Sequence, residues 1–342
     1  MATCRKYSSN CTESPMSLRS FGKQSARRVL HSWGGLNLIR YQHRGQLRIL
    51  CYHRFSAMER TLAAEWEAHC RHIREAYSPI SLDEAAVLLQ NGDPLPKNAV
   101  VVTVDDGYRD FAQVAHPILR RYGIPATVYL IGNVLDQREW AWWDRVVYAL
   151  AETRYAECTV GLSTGTVSLE LPDAPSRWDA AVTLCEALKR VPNRERVQFV
   201  EQFLEQVGVS LPTQRPSFYE TLTWDDVRVL SREGASFGAH TMSHPILPRV
   251  EEAWQVRAEI LESKKLLEDR LQCEAAHFCF PNGDFDERSS AAVREARFQT
   301  AVTCREGFVD RAMGLLELNR MSVDLEGSEF YFREGLAGLR RG

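Results

Sequence analysis

Two short polar runs carry most of the chemistry this sequence could do. Asp105-Asp106-Gly107 follows the apolar run 100–104 directly, and His240-Thr241-Met242-Ser243-His244 follows the run 235–239 in the same way. Adjacent carboxylates repel, so a buried strand that delivers two of them side by side calls for a cation or a shared proton. Two imidazoles at H-x-x-x-H spacing converge on one cation from a single turn. Two His and one carboxylate form a facial set that leaves positions open for water and substrate. Either run alone is weak, because Asp-Gly turns are common and paired histidines are often structural. Their shared place at strand ends makes the stronger case, since α/β folds gather reactive groups there. Two more strand ends join them. Phe278-Cys279-Phe280-Pro281-Asn282-Gly283 runs into a Pro/Gly turn that shapes the rim. Tyr52-His53-Arg54 closes the first strand run and brings a histidine to the same rim, where a histidine bonded to main chain is the plainer reading.

The elements that must position these groups alternate. Strand-like runs fall at 48–53, 99–104, 126–131, 235–240, 276–280 and 299–304. Helical patterns fall between them, at 61–77, 81–90, 110–122, 223–233, 251–271 and 287–297. Ser81 and Glu84 form a capping-box signature, and Gly123 and Gly234 follow helix ends. Apolar strands alternating with helices predict βα units around a parallel sheet, here closed as a barrel. The alternation fades over 132–222, which reads as a helix-rich insertion with one strand-like piece at 166–171. Its Trp140, Trp142 and Trp143 read first as core anchors and second as stacking platforms for a ligand, and Asp144 and Arg145 as a local pair. The chain thus divides into a basic N-terminal segment, 1–47, with a flexible start and a partly amphipathic helix, and a catalytic domain, 48–342.

Taken together, these runs resemble the polysaccharide deacetylase (NodB-homology, carbohydrate esterase 4) family. TVDDGYRD (103–110) is similar to its first motif, HTMSHP (240–245) to its second and FCFPNG (278–283) to its third; the likeness runs from about residue 48 to 322 apart from the insertion. The resemblance implies a distorted (β/α)7 barrel and a metal-dependent hydrolase that removes N-acetyl groups from amino sugars and releases acetate. It implies that Asp106, His240 and His244 ligate a divalent metal, with Zn2+ the first expectation, although such a set also accepts Co2+, Ni2+ or Fe2+. Asp105 would be the general base, and the main-chain N–H of Asn282 would help to hold the oxyanion.

The sequence departs from the family pattern in three places. The arginine of the third motif is Cys279, its tyrosine is Asn282, and the late Leu-x-His motif is replaced by LNRMSV (318–323). A branch that includes poly-N-acetylglucosamine deacetylases carries a Tyr-His at the first strand and draws its catalytic acid from it. Tyr52-His53 matches that arrangement, which makes His53 the acid. Arg320 is a candidate to replace the missing arginine beside Asp105, set evenly against a core-edge arginine. The departures also leave room for a non-catalytic carbohydrate-binding relative, against which the complete Asp105, Asp106, His240 and His244 set stands.

Composition sets the outer limits. With 342 residues, 44% hydrophobic and 25% charged, the chain is globular and not disordered. The net charge of -3 argues against a nucleic-acid binder, but it hides a split. The first 58 residues hold ten basic residues against the single acidic Glu13, a net +9, which leaves -12 for the other 284. The stretch 25–41 sets Val29, Leu30, Trp33, Leu36, Leu38 and Ile39 among basic residues. That pattern fits a helix packed on the catalytic domain, or one lying on an anionic membrane through residues 19–54. Nine cysteines without a C-x-x-C pair predict reduced thiols. The Ser-rich start shows no apolar leader core. The expectation is therefore a cytoplasmic enzyme, with peripheral contact at the inner face of the membrane as the second reading. Its partner would be an N-acetylated amino-sugar polymer or a lipid-linked saccharide.

Overall fold

The computed structural model describes residues 35–310 and 312–339. The basic residues Arg19, Lys23, Arg27 and Arg28, and the amphipathic stretch up to Gly34, lie outside the described residues. Seven parallel strands close the barrel: β1 (Arg48–Tyr52), β2 (Ala99–Val104), β3 (Ala126–Leu130), β4 (Ser236–Ala239), β5 (His277–Cys279), β6 (Thr300–Glu306) and β7 (Leu318–Ser322). β2 through β7 pair in chain order, and β1 closes the circle between β7 and β2, with Cys51 beside both Thr103 and Ser322. Helices cover the outside, as the alternating pattern predicts.

Strand alternation decides what faces the barrel interior. Leu50, Tyr52, Val100, Val102, Val104, Val128 and Leu130 join the large core under the helices. Ile49, Val101, Tyr129, Cys279, Val302 and Leu318 form a separate inner cluster. Continuing the inner phase by two residues gives Cys304 and Arg320, and by four residues His53 and Asp105. His53 and Asp105 thus lie one residue past the ends of β1 and β2. Gly238 lets the interior close: a Cβ there would come 2.6 Å from the Tyr129 ring and 2.8 Å from the carbonyl oxygen of His277.

The sequence signals at helix ends are used. Ser81 accepts from the Glu84 N–H, Gly123 adopts φ 60°, and Thr223 forms a reciprocal capping box with Asp226. The helix expected over 110–122 is broken into a π-helical turn, Phe111–Ala115, and an α-helix, His116–Tyr122. Pro117 has no N–H to continue the α ladder, which accounts for the widened turn before it.

The insertion folds around its own apolar core. Helices Trp142–Glu152, Ala174–Leu188 and Asn193–Gln206 and an antiparallel hairpin, Glu157–Leu162 with Gly165–Glu170, enclose Val146, Leu150, Leu184 and Phe203. Ile131 and Val134, just past β3, belong to the same core and anchor it to the barrel. Three strands have no counterpart in the sequence reading: the two-residue Ser78–Pro79, which pairs beside β2, Glu157–Leu162 and β7. In β7 the apolar signal is thin, because its central inward residue is Arg320.

Candidate active site

Asp105 continues the inward phase one residue past β2, its N–H donating to the Tyr52 carbonyl (2.9 Å). Arg320 grips it bidentately from β7, with Nη1 on Oδ1 at 2.6 Å and Nη2 on Oδ2 at 2.7 Å. The guanidinium is fully buried and donates also to the Thr303 carbonyl and to Thr103 Oγ1. The Cys279 sulfur lies 3.2 Å from Nη2, so the small residue in the third motif leaves room for the Arg320 side chain. Cys51 and Cys279 thiols point at Asp105 Oδ2 from 3.5 and 3.4 Å. Burial alone would raise the Asp105 pKa, but the Arg320 charge and hydrogen bonds hold it well below the usual carboxylate range.

Asp106 breaks the strand phase. Its φ of 74°, a left-handed value rare outside glycine, turns the carboxylate towards the HxxxH loop. That loop is also bent, with Thr241 at φ 64° and His244 at φ 55°. Thr241 Oγ1 accepts from the His244 N–H, and Glu259, from helix Ala253–Leu271, accepts from the N–H groups of Met242 and Ser243 and from the Ser243 hydroxyl. Nothing in the sequence pattern marked Glu259 as the brace of this loop.

Asp106 Oδ1 lies 3.6 Å from His240 Nε2 and 3.8 Å from His244 Nε2. These separations exceed hydrogen bonds, yet one ligand atom from each of the three residues lies within 4.8 Å of the others. That is the spacing of donors shared by one cation. His240 Nδ1 donates to the Cys279 carbonyl (2.8 Å), which leaves the Nε2 lone pair facing Asp106. Burial lowers the pKa of both imidazoles. Burial, with the neighbouring Asp105 charge, pushes the Asp106 carboxyl up to about 7. The donor set thus fits a divalent metal: two imidazoles and a buried carboxylate with no Lys or Arg ion pair among the described residues.

His53 sits across from Asp105, Nε2 3.9 Å from Oδ2. Burial lowers its pKa to about 3 against the pull of Asp105, so it rests neutral. Asn282, at φ 57°, lines the same cavity. Gly283 holds its loop against β6; a Cβ there would meet the Cys304 nitrogen at 2.2 Å. The cavity, about 420 Å3 including space open to solvent, brings together His53, Asp105, Asp106, His240, His244 and Asn282. Its far wall is Trp142, Trp143, Cys185 and Lys189 of the insertion. A larger groove, about 1310 Å3, shares His53, Asp106 and Trp143 and runs past Met58, Trp178, Phe218 and Leu325.

Asp144 does not pair with Arg145, as its sequence position suggests. It is buried and reaches Arg54 (2.8 Å) and the Tyr108 hydroxyl (2.8 Å) instead. Trp140 packs on Tyr148 and Tyr219 as a core anchor, while Trp142 and Trp143 line the cavity. Trp178 and Phe218, which no motif marked, line the groove.

A seven-stranded barrel of this kind, with carboxylates and imidazoles gathered at its strand ends, has the make-up of a hydrolase. The family model for polysaccharide deacetylases matches residues 92–301, and the chain belongs to that family. It is a hydrolase acting on amide bonds, and its family deacetylates the amino sugars of polysaccharides. YxkH of Bacillus subtilis (strain 168), whose own name assigns it to the polysaccharide deacetylases provisionally, is 21% identical over 297 residues, covering 85% of this chain and 77% of that protein. The poly-beta-1,6-N-acetyl-D-glucosamine N-deacetylase of Escherichia coli (strain K12) is 38% identical over 60 residues, 18% of this chain and 9% of its own length. Among solved structures, IcaB from Ammonifex degensii superposes with a TM-score of 0.57 at 15% identity, covering 86% of this chain and 97% of that one. The deacetylase PplD of Streptococcus pyogenes gives 0.53 at 20% identity, covering 81% and 92%. These structures share the barrel fold. Among the described residues no helix is long and apolar enough to cross a membrane, and the seven cysteines there are free.

Proposed function

We propose that this chain hydrolyses the N-acetyl amide of an amino-sugar polymer and that Asp106, His240 and His244 hold one divalent cation, Zn2+ first, for that purpose. When bound, the cation supplies a Lewis acid for the acyl carbonyl and for water. Asp105, kept ionised and oriented by Arg320, accepts the proton of the attacking water. His53 rests neutral, so the proton that the leaving amine needs is one taken up within the same turnover, and His53 stands 3.9 Å from the Asp105 oxygen that would pass it on. The main-chain N–H of Asn282, which lines the same cavity, stabilises the oxyanion. The convergence of one carboxylate oxygen and two imidazole nitrogens beside the clamped Asp105 is the observation that carries this reading. The short match to the Escherichia coli enzyme makes β-1,6-linked N-acetylglucosamine oligomers the first substrate to try. Acetate release and metal content together test it. Asp105→Asn and His53→Ala should each lose ~10^2–10^4-fold in turnover and keep the metal, as for removal of a general acid or base; His240→Ala should lose the metal. Near-normal turnover by Asp105→Asn, or full metal content in His240→Ala, would overturn the assignment.

A lipid-linked substrate at a membrane surface has one observation in its favour. Helix Gly35–Gln42 has no buried residue; Leu38 and Tyr41 are 63% and 59% exposed beside Arg40 and Arg44. Such a basic apolar face suits an anionic lipid surface. The full chain should then sediment with phosphatidylglycerol vesicles and not with phosphatidylcholine, and Leu38→Asp/Tyr41→Asp should weaken that binding. Equal behaviour with both lipids would remove the reading.

A further inference from the structure

A histidine that ligates a metal usually donates its second ring N–H to a fixed acceptor, which sets the ring's orientation. His240 obeys this rule through the Cys279 carbonyl. His244 does not: its Nδ1 is buried and has no hydrogen-bond partner among the described residues. Packing must orient this ring. The Trp143 indole meets it edge to face at 4.5 Å, with the His240 ring on another side at 4.6 Å.

Trp143 is itself pinned. Its Nε1–H donates to the Tyr108 hydroxyl (2.8 Å), and that hydroxyl donates to Asp144 Oδ2 (2.8 Å). The other oxygen, Oδ1, accepts from Arg54 Nη2 at 2.8 Å. Arg54 follows His53 directly, lies 3.3 Å over the Tyr108 ring and donates to the Phe218 carbonyl. One buried carboxylate from the insertion therefore ties three barrel features together: the end of β1 with His53, the turn after Asp105-Asp106, and the HxxxH loop.

We propose that Asp144 is a positioning residue of the metal site, acting through Tyr108 and Trp143 on His244 and through Arg54 on the strand end that carries His53. The insertion then completes the site. The inference rests on the reading of Asp106, His240 and His244 as metal ligands.

Tyr108→Phe is the cleanest test, because it removes one oxygen and leaves both rings and the Arg54–Asp144 pair. Loss of a partner outside the ligand set costs ~10–100-fold in metal affinity or activity, so Zn2+ affinity, measured against a chelator on metal-free protein, should weaken by at least ~10-fold. Trp143→Phe should match it. Thr153→Val serves as a stability control; it removes the buried hydroxyl bond to the Val207 carbonyl within the same insertion and touches no site residue. It should lower the melting temperature and leave Zn2+ affinity unchanged. Wild-type Zn2+ affinity in Tyr108→Phe, with stability lost as in Thr153→Val, would reduce the network to a structural one and overturn the inference. His240→Ala separates the two failures: if it binds Zn2+ as tightly as wild type, the ligand assignment itself is wrong.

Discussion

The two walls of the cavity hold their charges by different means. On the barrel wall, Asp105 is locked by a bidentate buried arginine and by its N–H bond to the Tyr52 carbonyl, and its carboxyl lies far below the usual range. On the wall facing the insertion, Asp106 has no Lys or Arg ion pair among the described residues, its carboxyl is pushed up to about 7, and the His244 Nδ1 has no hydrogen-bond partner there, so packing orients the ring. Neighbours in sequence thus occupy opposite electrostatic regions. The barrel wall is preorganised without a ligand, whereas the other wall would be finished by the proposed cation and by side chains from outside the barrel. The comparison teaches that a strand ladder can fix one ionised base cheaply, but a cation site needs a carboxylate deliberately left unpaired.

Breaking the barrel wall should have the largest effect. Arg320→Met leaves Asp105 as a buried charge without a partner, and breaking such pairs costs about 3–5 kcal/mol. Turnover should vanish with it, because Asp105 is then pushed by burial towards its protonated form. The double variant Asp105→Asn/Arg320→Met should recover much of the lost stability and none of the activity. Denaturant unfolding and acetate release of the wild type and the two variants check this. An Arg320→Met protein as stable and active as wild type would show that the ion pair anchors neither fold nor base.

The contrast between the walls also explains what was legible in the sequence. Strand runs with β-branched residues, such as 99–104, match the barrel strands within a residue or two, because buried parallel strands advertise themselves. The metal-ligand candidates were visible since they directly follow such runs. Arg320 could only be guessed: its strand shows two apolar residues in five, Leu318 and Met321, and its partner lies 215 residues away. Asp144, Tyr108 and Glu259 left no usable signal. Each acts through contacts set by tertiary packing, and a local pattern read Asp144 as a neighbour of Arg145 when its partners are Arg54 and Tyr108. The insertion hairpin was half seen, because Glu157–Leu162 alternates weakly and is largely exposed.

The smallest expected effect concerns pH and sharpens the comparison most. Asp106, at about 7 in the empty set, lies above the ~3.9 of an unfolded aspartate. A folded pKa above the unfolded one means that the folded chain binds more protons between those values. Its contribution to stability is whole at low pH and is lost as pH rises through about 7. A cation ligated by the carboxylate offsets that loss, since it favours the ionised form. The melting-temperature gain on adding Zn2+ to metal-free protein should therefore be a few degrees larger near pH ~8 than near pH ~6. Burial lowers the pKa of both His240 and His244, which favours their neutral, ligating forms. Asp106→Asn should lower the gain and flatten its pH dependence. Equal gains at both pH values in the wild type would mean that Asp106 is already ionised without metal, and the two walls would then differ in geometry alone.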